Sequence, residues 1–218
     1  MTFVTFELGR SDIGFGRLIV DDDGITRKRL IRRQRIAWAD VLGYRLGVRP
    51  MNATGELGLV FGREVASAID LVSAARGKST RRRHTLELVG SHARLVVNWR
   101  FTYVEAAIEE ALRRIGPPLL ADARRVLAEQ SVVAFGDLAM RAEALQWKSK
   151  PPLARAAVES LAIIDTSPFT LAIQRRGRAW PYARIKLDGI PNVLVALAVA
   201  EELGYRVQGR ELLELDAR

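Results

Sequence analysis

The sequence predicts a mainly β, α+β protein made of two tandem modules, each an antiparallel sheet closed by one C-terminal helix. Three observations carry that reading. Phe15-Gly16-Arg17-Leu18 returns 120 residues later as Phe135-Gly136-Asp137-Leu138, and without a gap Ser11 falls on Ser131, Ile25 on Leu145, Lys28 on Lys148, Arg35 on Arg155, Ala37 on Ala157 and Val41 on Leu161. A period this long is one small domain copied, because solenoid units repeat every ~20–50 residues. The front of each half carries short strand-like runs separated by turn residues, and each half ends in a helical stretch.

The elements follow in order. Residues 2–8 alternate Phe3, Thr5 and Glu7 with Val4, Phe6 and Leu8, the content and period of a strand. Residues 16–20 form a second short strand, and Asp21-Asp22-Asp23-Gly24 supplies a tight turn in which Gly24 is free to take φ > 0. Residues 25–31 return, and residues 35–38 are the next strand, with Ile36 and Trp38 on one face. Residues 40–46 continue as strand. Residues 85–89 and 94–99 form a hairpin around Gly90-Ser91. The closing helix begins at Thr102, with Glu105 in capping-box spacing. Val104, Ala107, Ile108, Ala111, Leu112 and Ile115 supply its apolar stripe. Arg113 and Arg114 suit the negative end of the dipole, and Gly116-Pro117-Pro118 stops it.

The second module, 119–218, repeats the plan after a leading linker helix at 119–130. Residues 131–140 and 145–148 are strands, Pro151-Pro152 marks a corner, and residues 156–164 and 169–174 follow as strands. Arg175-Arg176-Gly177-Arg178 turns into a returning strand at 179–185. The last helix starts at Pro191 and stops at Gly204. Pairing Leu112 with Leu203 gives an offset of 91 in place of 120, so the first module, 1–118, holds about 29 extra residues within 47–83. That insertion reads as an apolar stretch followed by an exposed loop.

Composition bounds the function. The 218 residues are 49% hydrophobic and 27% charged, enough to bury cores and unlike a disordered tail. There is no cysteine, which removes disulfides, thiolate metal sites and cysteine nucleophiles and suits a reducing cytoplasm. No signal-peptide pattern opens the chain, and no apolar run approaches the ~20 residues of a transmembrane helix, so a cytoplasmic protein is expected. The net charge of +9 is uneven. Residues 1–118 hold 20 Lys/Arg against 13 Asp/Glu, and residues 119–218 hold 14 against 12.

That basic field has two foci, each a candidate anion site or a solvated charge run. Arg27, Lys28 and Arg29 with Arg32, Arg33 and Arg35 span one hairpin, where strand geometry allows Arg27, Arg29, Arg33 and Arg35 to share one face. Arg76, Lys78, Arg81, Arg82 and Arg83 form a basic loop in the insertion, able to touch nucleic-acid phosphates non-specifically. Its Arg76-Gly77-Lys78-Ser79-Thr80 is not a phosphate-binding P-loop, because Val72 stands where the first glycine belongs. His84 and His92 lack acids in ligand spacing and read as surface or rim residues, so no metal is expected. The four tryptophans read as core or rim packing. No catalytic constellation stands out, no cofactor is implied, and a non-enzyme is expected.

The strand order, with Trp38-Ala39-Asp40-Val41 entering a middle strand and one helix closing each module, resembles the pleckstrin-homology-like (PH-like) domains of bacteria. The second copy resembles an uncharacterised bacterial PH-like family, through Phe135-Gly136-x-Leu138, the tryptophan strand at Trp180 and Ile190-Pro191-Asn192 at the helix start. In copy two Val158 and Ser160 stand where Trp38 and Asp40 are in copy one. The resemblance implies two bent seven-stranded sheets, each capped by a helix. It also implies binding in place of catalysis and puts the 27–35 hairpin near the rim where lipid-binding members hold anionic headgroups. The expected function is a non-catalytic binding or scaffold protein acting through protein contacts. The alternatives are an anionic membrane surface at the 27–35 hairpin and nucleic acid at the basic loop.

Overall fold

The computed structural model describes residues 4–7, 17–28, 32–50, 82–98, 104–166 and 168–213. Among them the protein is mainly β, with four open sheets and two α-helices. β1 (Val4–Glu7), β2 (Arg17–Val20), β3 (Gly24–Lys28) and β4 (Arg33–Ala37) form one antiparallel sheet in sequence order. β5 (Val41–Pro50), β6 (Arg82–Gly90) and β7 (Arg94–Asn98) form a second, and α1 (Val104–Gln130) follows. The next four strands, β8 (Val133–Phe135), β9 (Leu138–Met140), β10 (Ala144–Trp147) and β11 (Leu153–Ala154), make a third sheet. β12 (Val158–Ile164), β13 (Thr170–Arg175) and β14 (Ala183–Lys186) make the fourth. α2 (Val193–Glu202) comes next, and β15 (Val207–Gln208) then joins β12 as a parallel edge.

Period-two alternation explains the middle sheet. Tyr44, Leu46 and Val48 of β5 are buried while Arg45 and Arg49 are exposed. The register sets Leu46, Leu86 and Val97 in one buried row and Tyr44, Leu88 and Leu95 in the next. Onto this face α1 lays Val104, Ala107, Ile108, Ala111 and Ile115, all buried, at helical spacing. α2 is apolar nearly all round and correspondingly buried. It ends in a Schellman motif, with Tyr205 N donating to Ala200 O at 2.9 Å, Gly204 N to Glu201 O at 2.9 Å, and Gly204 at φ +80°.

Several expectations are corrected. Gly116-Pro117-Pro118 does not stop the helix, and the expected linker helix is its continuation. The prolines leave the carbonyls of Arg113 and Arg114 without helical donors, a break worth ~3 kcal/mol in an isolated helix. Both prolines are exposed, so water can reach that backbone, and packing on each side outweighs the break. The first turns bury their stripe in the first half, and Arg124 beyond the prolines pairs with Glu202 of α2. The stretch 131–140 is a hairpin, β8–β9, turning at Gly136 with φ +63°. Trp38 lies in a 3-10 turn (Trp38–Asp40), its Nε1 donating to Asp21 O at 2.9 Å. Gly24 is not needed for a positive φ; a Cβ there would collide with the Ile36 carbonyl of β4.

The 120-residue offset also slips. The 3-10 turn Trp38–Asp40 leads into Val41, and its counterpart Arg155–Ala157 leads into Val158. Trp38 therefore corresponds in position to Arg155, not Val158. The segment 51–81 between β5 and β6 lies outside the described residues, whereas 165–169 suffices to join β12 to β13.

The two halves share one contiguous core. β12's outer edge is covered by β15, and β5's by the second half. Tyr44 N donates to Asn192 Oδ1 at 2.7 Å, Asn192 N donates back to Tyr44 O at 2.8 Å, and Phe169 N donates to Val48 O at 3.2 Å. An open strand edge is thereby closed within the chain. Tyr44 is 1% exposed, its Oη accepts from Leu194 N at 3.1 Å, and burial pushes its hydroxyl pKa well above the usual tyrosine value.

Candidate functional site

The cations of the 27–35 hairpin divide between two faces. β2, β3 and β4 align Leu18 with Arg27 and Gln34, and Val20 with Ile25 and Ile36. Arg27 therefore lies on the core face, half-buried, its Nη1 donating to Val96 O at 3.0 Å. Arg33 and Arg35 lie on the opposite face, because the pairing places Arg33 beside Lys28 and Arg35 beside Thr26. The expectation that Arg27 shares a face with Arg33 and Arg35 is thus overturned by one residue of register. The outer face instead aligns Arg17, Lys28 and Arg33 on three adjacent strands, all exposed, with Glu7 of β1 at the register position beyond Arg17. Arg35 is tied to Asp21 at 3.3 Å, Arg32 is exposed just before β4, and Arg29 lies outside the described residues.

The expected basic loop divides as well. Arg76, Lys78 and Arg81 lie outside the described residues, while Arg82 and Arg83 belong to β6. Arg82 is a tie between the halves: its Nη1 donates to Leu212 O at 3.0 Å, and its guanidinium lies 5.6 Å from the centre of the Phe169 ring. Arg83 stands opposite Arg49 in the ladder and lines a cleft of about 620 Å³. One wall of that cleft is the outer face of β5–β6, with Arg45, Arg49 and Thr85. The other comes from the second half, with Lys186, Asp188 and Gly189. Arg45 Nη1 donates to Asp188 O at 3.3 Å, spanning the two walls.

A second cleft of about 600 Å³ lies in the second half, lined by Arg155, Arg176 and Arg206 together with Glu159 and Tyr205. Arg155 Nη1 donates to Leu203 O at 2.9 Å, and burial pushes the Tyr205 hydroxyl up to about 12. Beside it, residues 175–180 are all exposed, turning at Gly177 with φ +66°. Trp180 is 78% exposed and precedes the strand, so of its expected places, core or rim of a strand, the core and the strand are corrected. The returning strand begins only at Ala183, so the turn is longer than the sequence suggested and carries Trp180 outward.

No protein-family model matches this chain, and no curated protein matches it. His84, expected at the rim, is 2% exposed because it continues the buried row of β6, with Glu105 Oε1 3.6 Å from its Nδ1. His92 is exposed. Among the described residues no three His, Cys, Asp or Glu gather as metal ligands, and no helix is long and apolar enough to cross a membrane.

Sequence reasoning missed Arg45, Arg49 and Lys186. A partial signal was available: Tyr44, Leu46 and Val48 alternate with Arg45, Gly47 and Arg49, which marks a strand longer than 40–46 with a basic outer face. No sequence signal places Lys186 across from it.

Proposed function

We propose that this chain is a non-catalytic cytoplasmic binding or scaffold protein, built of two PH-like modules, that docks an acidic protein segment around Trp180. The PH-like reading is supported by element order: four strands, three strands and a helix occur in that sequence twice. The docking reading is carried by Trp180, held 78% exposed beside Arg175, Arg176 and Arg178. Tryptophan and arginine are the residue types that dominate binding energy at protein interfaces, and a cationic rim selects an acidic partner. The adjoining cleft, with Arg155 and Arg206, extends the same charge.

The test is affinity capture with a photo-cross-linker placed at Ala179, run beside a Trp180→Ser/Arg176→Ser variant. The expected result is a protein cross-linked through an acidic segment, with affinity lowered by ~2 kcal/mol or more in the variant. The same proteins retained at the same level by parent and variant would refute the reading.

The row Arg17, Lys28 and Arg33 favours a second reading, an anionic membrane surface, because like charges on neighbouring strands are unfavourable without a counter-charge. Juxtamembrane cations contribute ~1 kcal/mol each near an anionic bilayer. Flotation with phosphatidylserine vesicles at physiological salt, lost in Lys28→Ser/Arg33→Ser, is its expected result. No flotation removes it.

A further inference from the structure

We propose that the cleft between β5–β6 and the 3-10 turn Leu187–Gly189 binds a phosphoryl group carried on a compact, polar molecule. This site is separate from the Trp180 surface and does not depend on that reading. Its cations come from two directions: Arg49 and Arg83 from adjacent strands, and Lys186 from the end of β14. Arg49 and Arg83 are direct partners in the antiparallel ladder, so two arginines stand side by side on the same cleft wall. Arg49 and Lys186 are exposed and make no ion pair with a described residue. Two acids also line the cleft, Asp188 on one wall and Glu87 on the other, the latter engaged by Arg94 Nε at 2.7 Å, so the basic side chains Arg45, Arg49, Arg83 and Lys186 outnumber them.

The rest of the lining narrows the ligand. Gly47 and Gly189 contribute no side chain, so backbone and ligand can approach closely, and Thr85 adds a hydroxyl. Among the described residues Val96 is the only apolar side chain in the lining, and none of them brings an aromatic ring. These lining residues offer an acyl chain little to bury against and a nucleobase nothing to stack on. The volume of about 620 Å³ lies within the range of about 300–1,000 Å³ of small-ligand clefts. A carboxylate offers two in-plane oxygens. A phosphoryl dianion offers three, spread in space, and suits cations placed on two walls. Because one wall belongs to each half, the bound group also ties the halves together and raises the stability of the whole chain.

The test is isothermal titration calorimetry of the full chain at fixed ionic strength. The probes are pyrophosphate, O-phosphoserine, a peptide bearing one phosphoserine, and sulfate. Saturable binding of a phosphoryl probe is expected, weakened at least tenfold by Arg49→Gln and by Lys186→Gln but not by Arg141→Gln. The preferred probe identifies the source: pyrophosphate or free phosphoserine points to a small molecule, and the peptide to a phosphorylated protein. Both outcomes support the site. Sulfate bound as tightly as any phosphoryl probe, no saturation with any of them, or affinity unchanged in both variants overturns it. Lys186 is exposed and unpaired, so Lys186→Gln keeps the test decisive if Arg49→Gln folds poorly.

Discussion

Asn192→Ala is expected to destabilise the fold by about 2–4 kcal/mol, because one residue meets two demands. Its backbone sits at φ +53°, a left-handed conformation that asparagine tolerates far better than alanine does. Its Oδ1 accepts the Tyr44 N–H at 2.7 Å on the covered edge of β5, and truncation leaves that donor unpartnered in a partly buried place. Gly43, beside Tyr44, gives the side chain room: a Cβ there would approach Asn192 Oδ1 to 3.0 Å. Asn192→Gly separates the contributions. Glycine accepts the dihedral but supplies no acceptor, so it should lose about 1–2 kcal/mol. Urea unfolding of the three proteins with a common m-value measures both. Variants within ~0.5 kcal/mol of the parent would show that the clasp contributes nothing.

Phe169→Ala is expected to lose about 3–5 kcal/mol and to do so across the whole chain. Phe169 is fully buried, belongs to the second half, donates its N–H to Val48 of β5 and lies beneath the Arg82 guanidinium of β6. A single core running through both halves implies one cooperative transition. Far-UV circular dichroism and the tryptophan signal should therefore shift together to lower urea, with Trp38 reporting on the first half and Trp147 on the second. Two separated transitions, with only one moved by the substitution, would show that the halves unfold independently.

The legible part of this protein was what depends on neighbours in sequence. Alternation at Tyr44 and Leu46, the stripe from Val104 to Ile115 and the stop at Gly204 are local consequences of strand pleat, helical pitch and a glycine in the left-handed region. The mainly β character and the order of strands and helices follow from such signals. The Gly116-Pro117-Pro118 stop was misread because the local penalty is real. It is outweighed by packing of α1 against elements far away in sequence.

The candidate sites were less legible, since a binding surface depends on register and on contacts between halves. Arg27 and Arg33 are alike in sequence, yet one residue of pairing sends Arg27 to the core face and Arg33 to the outer one. Arg82 and Arg83 are adjacent, yet one ties the halves together and the other lines a cleft.

By itself the sequence determined that the chain is mainly β, rich in arginine and built from short alternating strands followed by apolar helices, because side-chain chemistry and backbone period act over a few residues. Only the tertiary structure decided that Lys186 faces Arg49 across one cleft, that Asn192 closes the edge of β5, and that Trp180 is left in solvent. Those outcomes are set by strand register and by burial of a core shared between the halves, and neither quantity belongs to any single stretch of chain.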